Sequence, residues 1–359
     1  MSGSLILTNA ALAQEISGIK PVDQNLLGAV EARLLDLTKP PGSLGLLEEI
    51  ATRLALIKKT INPRITKKQI FTLAGDHGVT DEGVSAYPKV VTPQMVLNFL
   101  GRGAAINVLA RHAGAEVTIV DMGVDYDFDS IPGLVNAKVA RGTANFTKGP
   151  AMTREEARTA VATGMELVKK AALEGVSLIG VGEMGIGNTT SASAILAAFS
   201  GIPAEEVVGR GTGVDEEGLK RKAKAVRTGL AVNKPDPDDP LDVLSKVGGF
   251  EIAGMTGIFL GAAKEGIPVI ADGFISTAAA LVAVKLAPAA EDYLFLSHLS
   301  EERGHSRMVE LFRTRPLLKL SLRLGEGTGA ALAMGIIEAS AKIMTEMATF
   351  SEAGVSQKE

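Results

Sequence analysis

The chain of 359 residues contains no cysteine, so thiol catalysis, disulfides and cysteine-based metal sites are all excluded. It contains no tryptophan, and aromatic residues make up only 4%. Histidine is scarce as well. His77, His112, His298 and His305 are the full set, and no two stand in an H-x-x-x-H pair, so a metal centre is not expected. Charge of one sign is lacking: the net charge is −4, which recommends neither a nucleic-acid nor a membrane partner. No long apolar run is uninterrupted. The richest, ISTAAALVAVKLAPAA, is broken by Lys285 and Pro288 and reads as a buried helix. The first residues, MSGSLILTNAALAQ, include a small-residue triplet but no basic n-region, so a cytoplasmic protein is expected rather than a secreted one.

What is abundant is glycine, 40 residues of it, in a chain that is 46% hydrophobic. Short apolar runs recur through the middle, each closed by glycine or a polar residue: QIFTLAGDHG, AEVTIVDMG, VSLIGVGE, IPVIADG and YLFLSH. Helical stretches separate them. One of these, TREEARTAVATGMELVKKAALEG, opens with a capping box from Thr153 to Glu156. Alternation of this kind predicts a mostly parallel sheet covered on both faces, with ligands beyond the carboxyl ends of the strands. The ends of the chain differ. Leu27, Val30, Leu34 and Leu37 fall at helical spacing, as do Leu47, Ile50, Leu54 and Ile57. Between them lies KPPGSLG, where Ser43 is the expected cap of the second helix. KPDPDDP reads as a turn-rich loop within the sheet part.

The densest functional signal is GVGEMGIGNTTSASAILAAF, a strand that runs through glycines into a helix. Backbone N–H groups, a helix N-terminus and threonine hydroxyls together suit a phosphate cradle, the alternative being a glycine-rich turn with a threonine cap. Gly180, Gly182 and Gly185 also match the dinucleotide pattern G-x-G-x-x-G. The acid that should follow about 20 residues later is unconvincing, and Glu183 inside the turn would oppose a pyrophosphate. A second glycine loop, VVGRGTGVD, leads into a helix rich in Lys and Arg; such a charge run is ordinarily a solvated face, although Lys222 could reach back toward the phosphate. Asp76 and His77 close one strand-like run, as a catalytic pair or as a simple turn. Ser297 and Ser300 follow another, as phosphate or ribose donors or as helix caps. Finally, LRLGEGTGAAL sets Glu326 between two glycines against an apolar helix. A carboxylate in such a place has a raised pKa, which suits a general base, although an exposed turn acid fits the residues equally.

Taken in order, KPPGSLG, DHGV, YPKVVT, VARG, GPAM, VGEMGIGNTT, DVLSKVGGFEIAGMTG, DGFIS and LRLGEGTGAALAM resemble the nicotinate-nucleotide–dimethylbenzimidazole phosphoribosyltransferase family. The resemblance runs from residue 39 to about 334. It implies transfer of the 5-phosphoribosyl group of nicotinate mononucleotide to 5,6-dimethylbenzimidazole in cobalamin nucleotide-loop synthesis, giving α-ribazole 5′-phosphate and nicotinate. It implies Glu326 as general base, with Glu183 a second active-site acid. Phosphate and ribose would be held by Gly185, Gly187, Asn188, Thr189 and Thr190, helped by Gly211, Lys222 and Ser300. The flat base would lie against Tyr87, Gln94, Met95 and Leu324. No cofactor or metal is implied, because the pyridinium leaves as a neutral ring.

Two positions depart from the family's pattern. Tyr87 stands before Pro88–Lys89 in place of a small serine, and Met95, beside Gln94, stands in place of a glutamine. Another benzimidazole, adenine or a phenol would then be an alternative acceptor. A dinucleotide-dependent enzyme and a non-catalytic nucleotide-binding protein are the competing readings. The family fold implied is a three-layer, Rossmann-like α/β domain over residues 63–311, plus a small helical domain from both chain ends, 1–62 and 312–359. A homodimer is implied too.

Overall fold

The structure is a computed structural model and describes residues 9–356; the first eight residues of the leader-like segment and the last three of the chain lie outside the described residues. Seven parallel strands form one sheet: β1 (Lys68–Gly75), β2 (Ala115–Gly123), β3 (Leu134–Asn136), β4 (Leu178–Met184), β5 (Val269–Ala271), β6 (Leu294–His298) and β7 (Pro316–Leu318). Their order is β3-β2-β1-β4-β5-β6-β7. The chain starts at β1, builds outward to β3, returns to β4 beside β1, and then builds outward the other way. The gap between β1 and β4 is the switch point at which open α/β sheets leave a crevice. Five strands coincide with the apolar runs of the sequence. β3 and β7 do not, because three residues at a sheet edge show no period, and β7 begins with a proline.

Side-chain alternation sorts the two faces. Leu73 and Met122 meet the helix Phe250–Glu265 at Gly254. On the opposite face, Gly180 meets Met334 and Ala330 of the helix Thr328–Glu346. The helix Arg154–Leu173, opened by the Thr153–Glu156 capping box, forms an outer neighbour of Phe250–Glu265. The two touch through Gly164 and Gly257, where a Cβ would collide with the backbone carbonyls of Gly254 and Val161 respectively. The Ala-rich run becomes the buried helix Phe274–Leu286.

Both chain ends are helical, and Val30, Leu34, Leu37, Ala51, Ala55 and Met344 form an apolar cluster of their own. The inner sides of the same helices belong to the main core through Ile50, Leu54, Met334 and Ile337. The sheet also continues past residue 311, since β7 pairs with β6. Ser43 does not cap the second helix. That helix, Leu46–Ile57, starts after Gly45 with no side-chain cap, and Glu48 instead accepts from the Leu44 N–H at 3.0 Å and pairs with Lys39 at 2.9 Å.

Candidate active site

A cavity of about 480 Å³ opens beyond the carboxyl ends of β4, β5 and β6. Glu326 stands on its wall. Its turn is unusual: Gly325, Glu326 and Gly327 have φ of 87°, 65° and 100°, three left-handed residues in succession. A non-glycine residue there costs on the order of 1–2 kcal/mol, so the surroundings must hold it. Thr72 Oγ1 on β1 donates to the Glu326 carbonyl at 2.9 Å. The Asp272 carboxylate accepts from the N–H groups of Gly327 (3.1 Å), Gly329 (2.6 Å) and Ala330 (3.1 Å). The turn lies flat on Gly182, where a Cβ would come within 2.3 Å of Glu326 and Gly327 backbone.

The turn fixes the side chain. Glu326 is 5% exposed, and its Oε2 accepts from the Ile106 N–H at 3.2 Å, in the first turn of the helix Ala105–Ala113. Burial pushes its pKa up, and the Ile106 hydrogen bond pulls it partly back. Glu326 is thus a buried acid, not an exposed turn acid.

Glu183, next to last in β4, lies directly beneath Gly325, where a Cβ would meet its Oε1 at 2.2 Å. Asn188 Nδ2 donates to the Glu183 carboxylate. Burial, and then the nearby Asp272 charge, push the Glu183 pKa to about 8 against the Asn188 bond. Burial likewise lifts Asp272 to about 7, opposed by its three backbone donors. Glu183 and Glu326 both line the cavity, with Asp272 buried behind the Glu326 turn, and a positive charge placed beside them would be stabilised.

The glycine turn that the sequence offers as a phosphate cradle leads into the helix Asn188–Ser200, whose N-cap is Gly187 with φ 98°. Gly185, Asn188, Thr189 and Gly211 line the cavity, as does Thr212, which the sequence did not single out. Gly187 and Thr190 do not line it. Gly187 shapes the turn, and Thr190 is wholly buried with an unpartnered hydroxyl. Lys222 is not part of a solvated face. It is 1% exposed, and its Nζ donates to Thr189 Oγ1 at 2.8 Å. Gly211 covers both groups, so Lys222 stands one layer behind the cavity. Burial lowers its pKa to about 8, and Glu302 partly restores it.

The remaining residues are divided. Tyr87, Met95 and Leu324 line the cavity, with Tyr87 and Leu324 exposed at its mouth. Gln94 does not: it is exposed, and one residue along the helix Val91–Leu100 turns it to solvent while Val91 and Met95 face inward. Ser300 lines the cavity, whereas Ser297 is buried against Asp272. Neither caps the helix Arg303–Val309. His77 is buried behind the site, between Glu251 Oε1 (2.6 Å) and Ser191 Oγ (3.0 Å). Sequence reasoning missed Asp272, His298 and Arg323. Asp272 and His298 end strand-like runs, which was the available signal. Arg323, donating to the Gly211 carbonyl at 3.3 Å, sits within the LRLGEG motif itself.

The apparent dinucleotide fingerprint has another cause. A Cβ at Gly180 would press on Met334, one at Gly182 on the Glu326 turn, and one at Gly185 on the Gly75 carbonyl at 2.4 Å. Gly180 admits side chains, and Gly182 and Gly185 admit protein backbone, where a pyrophosphate would have to lie.

Comparison with known proteins identifies the chain's relatives. A family model described as phosphoribosyltransferase matches residues 19–355. A nicotinate-nucleotide–dimethylbenzimidazole phosphoribosyltransferase from Geobacter sp. (strain M21) is 58% identical over 344 residues, 96% of this chain and 99% of the relative. One from Chlorobaculum tepidum is 54% identical over 345 residues, 96% and 98% of the two chains. The crystal structure of CobT from Thermus thermophilus superposes with a TM-score of 0.90 at 50% identity, covering 93% of this chain and 99% of that one.

Proposed function

This chain belongs to the nicotinate-nucleotide–dimethylbenzimidazole phosphoribosyltransferase family, and from that premise we propose how its cavity performs the transfer. The enzyme moves the 5-phosphoribosyl group of nicotinate mononucleotide to 5,6-dimethylbenzimidazole. The donor phosphate lies at the N-terminus of the Asn188–Ser200 helix, with Thr189 backed by Lys222. The ribose lies over Glu183. One benzimidazole nitrogen attacks C1′ as the bond from C1′ to the pyridinium nitrogen breaks. That electron pair returns to the nicotinate ring, and Glu326 takes the proton from the other benzimidazole nitrogen. Attack opposite the leaving group turns a β-nucleotide into an α-nucleotide. Positive charge developing at C1′ faces Glu183 and Glu326, and lowers their pKa values as it forms.

The observation that carries this reading is Glu326: a buried carboxylate with a raised pKa, held in a left-handed turn on the cavity wall. The same proposal includes a homodimer, a cytoplasmic location, and a helical unit built from both chain ends. The exposed apolar side chains of Tyr87, Val90 and Leu324 near the cavity mouth suit a second copy. Among the described residues, no helix is long and apolar enough to cross a membrane.

Mass spectrometry of products tests the reading. The protein is mixed with nicotinate mononucleotide and dimethylbenzimidazole, benzimidazole, adenine or phenol in turn. Nicotinate release with a new ribotide is expected, and dimethylbenzimidazole is the expected best acceptor. Replacing Tyr87 by Ser and Met95 by Gln should shift the ranking of acceptors. Bound nucleotide without turnover on any acceptor would overturn the transferase assignment.

A further inference from the structure

β6 ends in Ser297 and His298, and these two side chains determine each other's protons. The Ser297 hydroxyl oxygen lies 2.5 Å from the carbonyl oxygen of Asp272. A carbonyl has no hydrogen to give, so at this separation the hydroxyl hydrogen points at it. The same hydroxyl oxygen is 2.9 Å from His298 Nδ1. With its own hydrogen engaged, Ser297 can only accept there, so Nδ1 carries the imidazole proton. Asp272 Oδ1, 4.0 Å from Nδ1, favours the same tautomer. Burial keeps the ring's pKa down at about 4, so the ring is neutral at pH 7. Nε2 is therefore a lone-pair acceptor. Among the described residues no hydrogen bond reaches it.

The ring borders the cavity beside Gly273, where a Cβ would lie 3.4 Å from Cε1 and 3.6 Å from Nε2. A neutral acceptor at this place selects among the groups the donor presents. Its phosphate and carboxylate are anions without hydrogens to donate at neutral pH, and its pyridinium nitrogen carries none. The ribose hydroxyls are the remaining donors.

We propose that His298 accepts a hydrogen bond at Nε2 from a ribose hydroxyl of the phosphoribosyl donor, and so orients C1′ and selects ribosyl over deoxyribosyl donors. This rests on the transferase reading above. A site built to pair with a hydroxyl discriminates strongly against a substrate that lacks it.

The test compares kcat/KM of the wild type, His298→Phe and His298→Gln with three donors: nicotinate mononucleotide and its 2′-deoxy and 3′-deoxy analogues. Thermal melting checks that each variant folds. Phe keeps the flat shape and removes the acceptor, and Gln places an amide oxygen near the position of Nε2. With nicotinate mononucleotide, His298→Phe should lose about tenfold to a hundredfold, and His298→Gln should lose less. With the analogue lacking the bonded hydroxyl, the same Phe substitution should cost less than about threefold. With the other analogue the full loss should persist. Each ratio is taken on one donor, so the intrinsic reactivity of a deoxyribosyl group cancels. An equal loss with all three donors would overturn the proposal, as would a loss that follows the choice of acceptor base. If the wild type releases no nicotinate from any donor, the transferase reading falls, and this inference falls with it.

Discussion

One added methyl group at Gly182 measures how firmly the Glu326 turn is held against the sheet. A Cβ there would lie 2.3 Å from the carbonyl carbon and oxygen of Glu326 and from the Gly327 nitrogen. Comfortable contact begins near about 3.5 Å, so something must move by about 1 Å. β4 is paired to β1 on one side and β5 on the other, which leaves the turn as the part that yields. Displacing a reacting group by that much costs on the order of 10² in rate. Overpacking costs about 1–3 kcal/mol, roughly 1–4 °C in melting temperature for a chain of this length. The assay is kcat for nicotinate release, with thermal melting in parallel. Gly28→Ala is the control: nothing lies within 4 Å of its Cβ, on an exposed helix, so rate should hold and stability rise slightly. If Gly182→Ala retained the wild-type rate and melting temperature, the turn would not be anchored by this contact, and the explanation of Gly182 would fail.

Further outcomes follow from the buried charges. The Glu183 carboxyl binds its proton more tightly in the folded chain, at about 8, than at its ordinary 4.5. Its contribution to stability is full below about pH 4.5 and fades as pH rises toward 8. In melting curves without substrate between pH 5 and 8, Glu183→Gln should therefore decline less than the wild type; parallel declines would remove Glu183 as the source. Lys222→Met keeps the side-chain length and removes the charge. KM for the mononucleotide should rise about tenfold to a hundredfold, the worth of a charge-assisted hydrogen bond, with no fall in melting temperature. An unchanged KM would place the phosphate elsewhere.

The sequence and the structure agree where physics is local. Strands buried on both faces are continuous apolar runs, so β1, β2, β4, β5 and β6 were visible, as was the Thr153 capping box. The three-residue edge strands were not. In the site, glycine turns announced Glu183, Asn188, Thr189 and Glu326 before any fold was known. Gln94 and Met95 could not be separated without the phase of their helix. Lys222 looked like a solvated charge, because its burial depends on Gly211 and Thr189 arriving from other elements. Asp272 matters through three N–H groups more than fifty residues away, and no local pattern records that.

The central claim is that Glu326 takes the proton of the attacking base. The most direct measurement is the rate of nicotinate release by Glu326→Gln with dimethylbenzimidazole, beside its melting temperature. The account predicts a loss of about 10²–10⁴ in rate in a protein that melts no earlier than the wild type. A near-wild-type rate would contradict it.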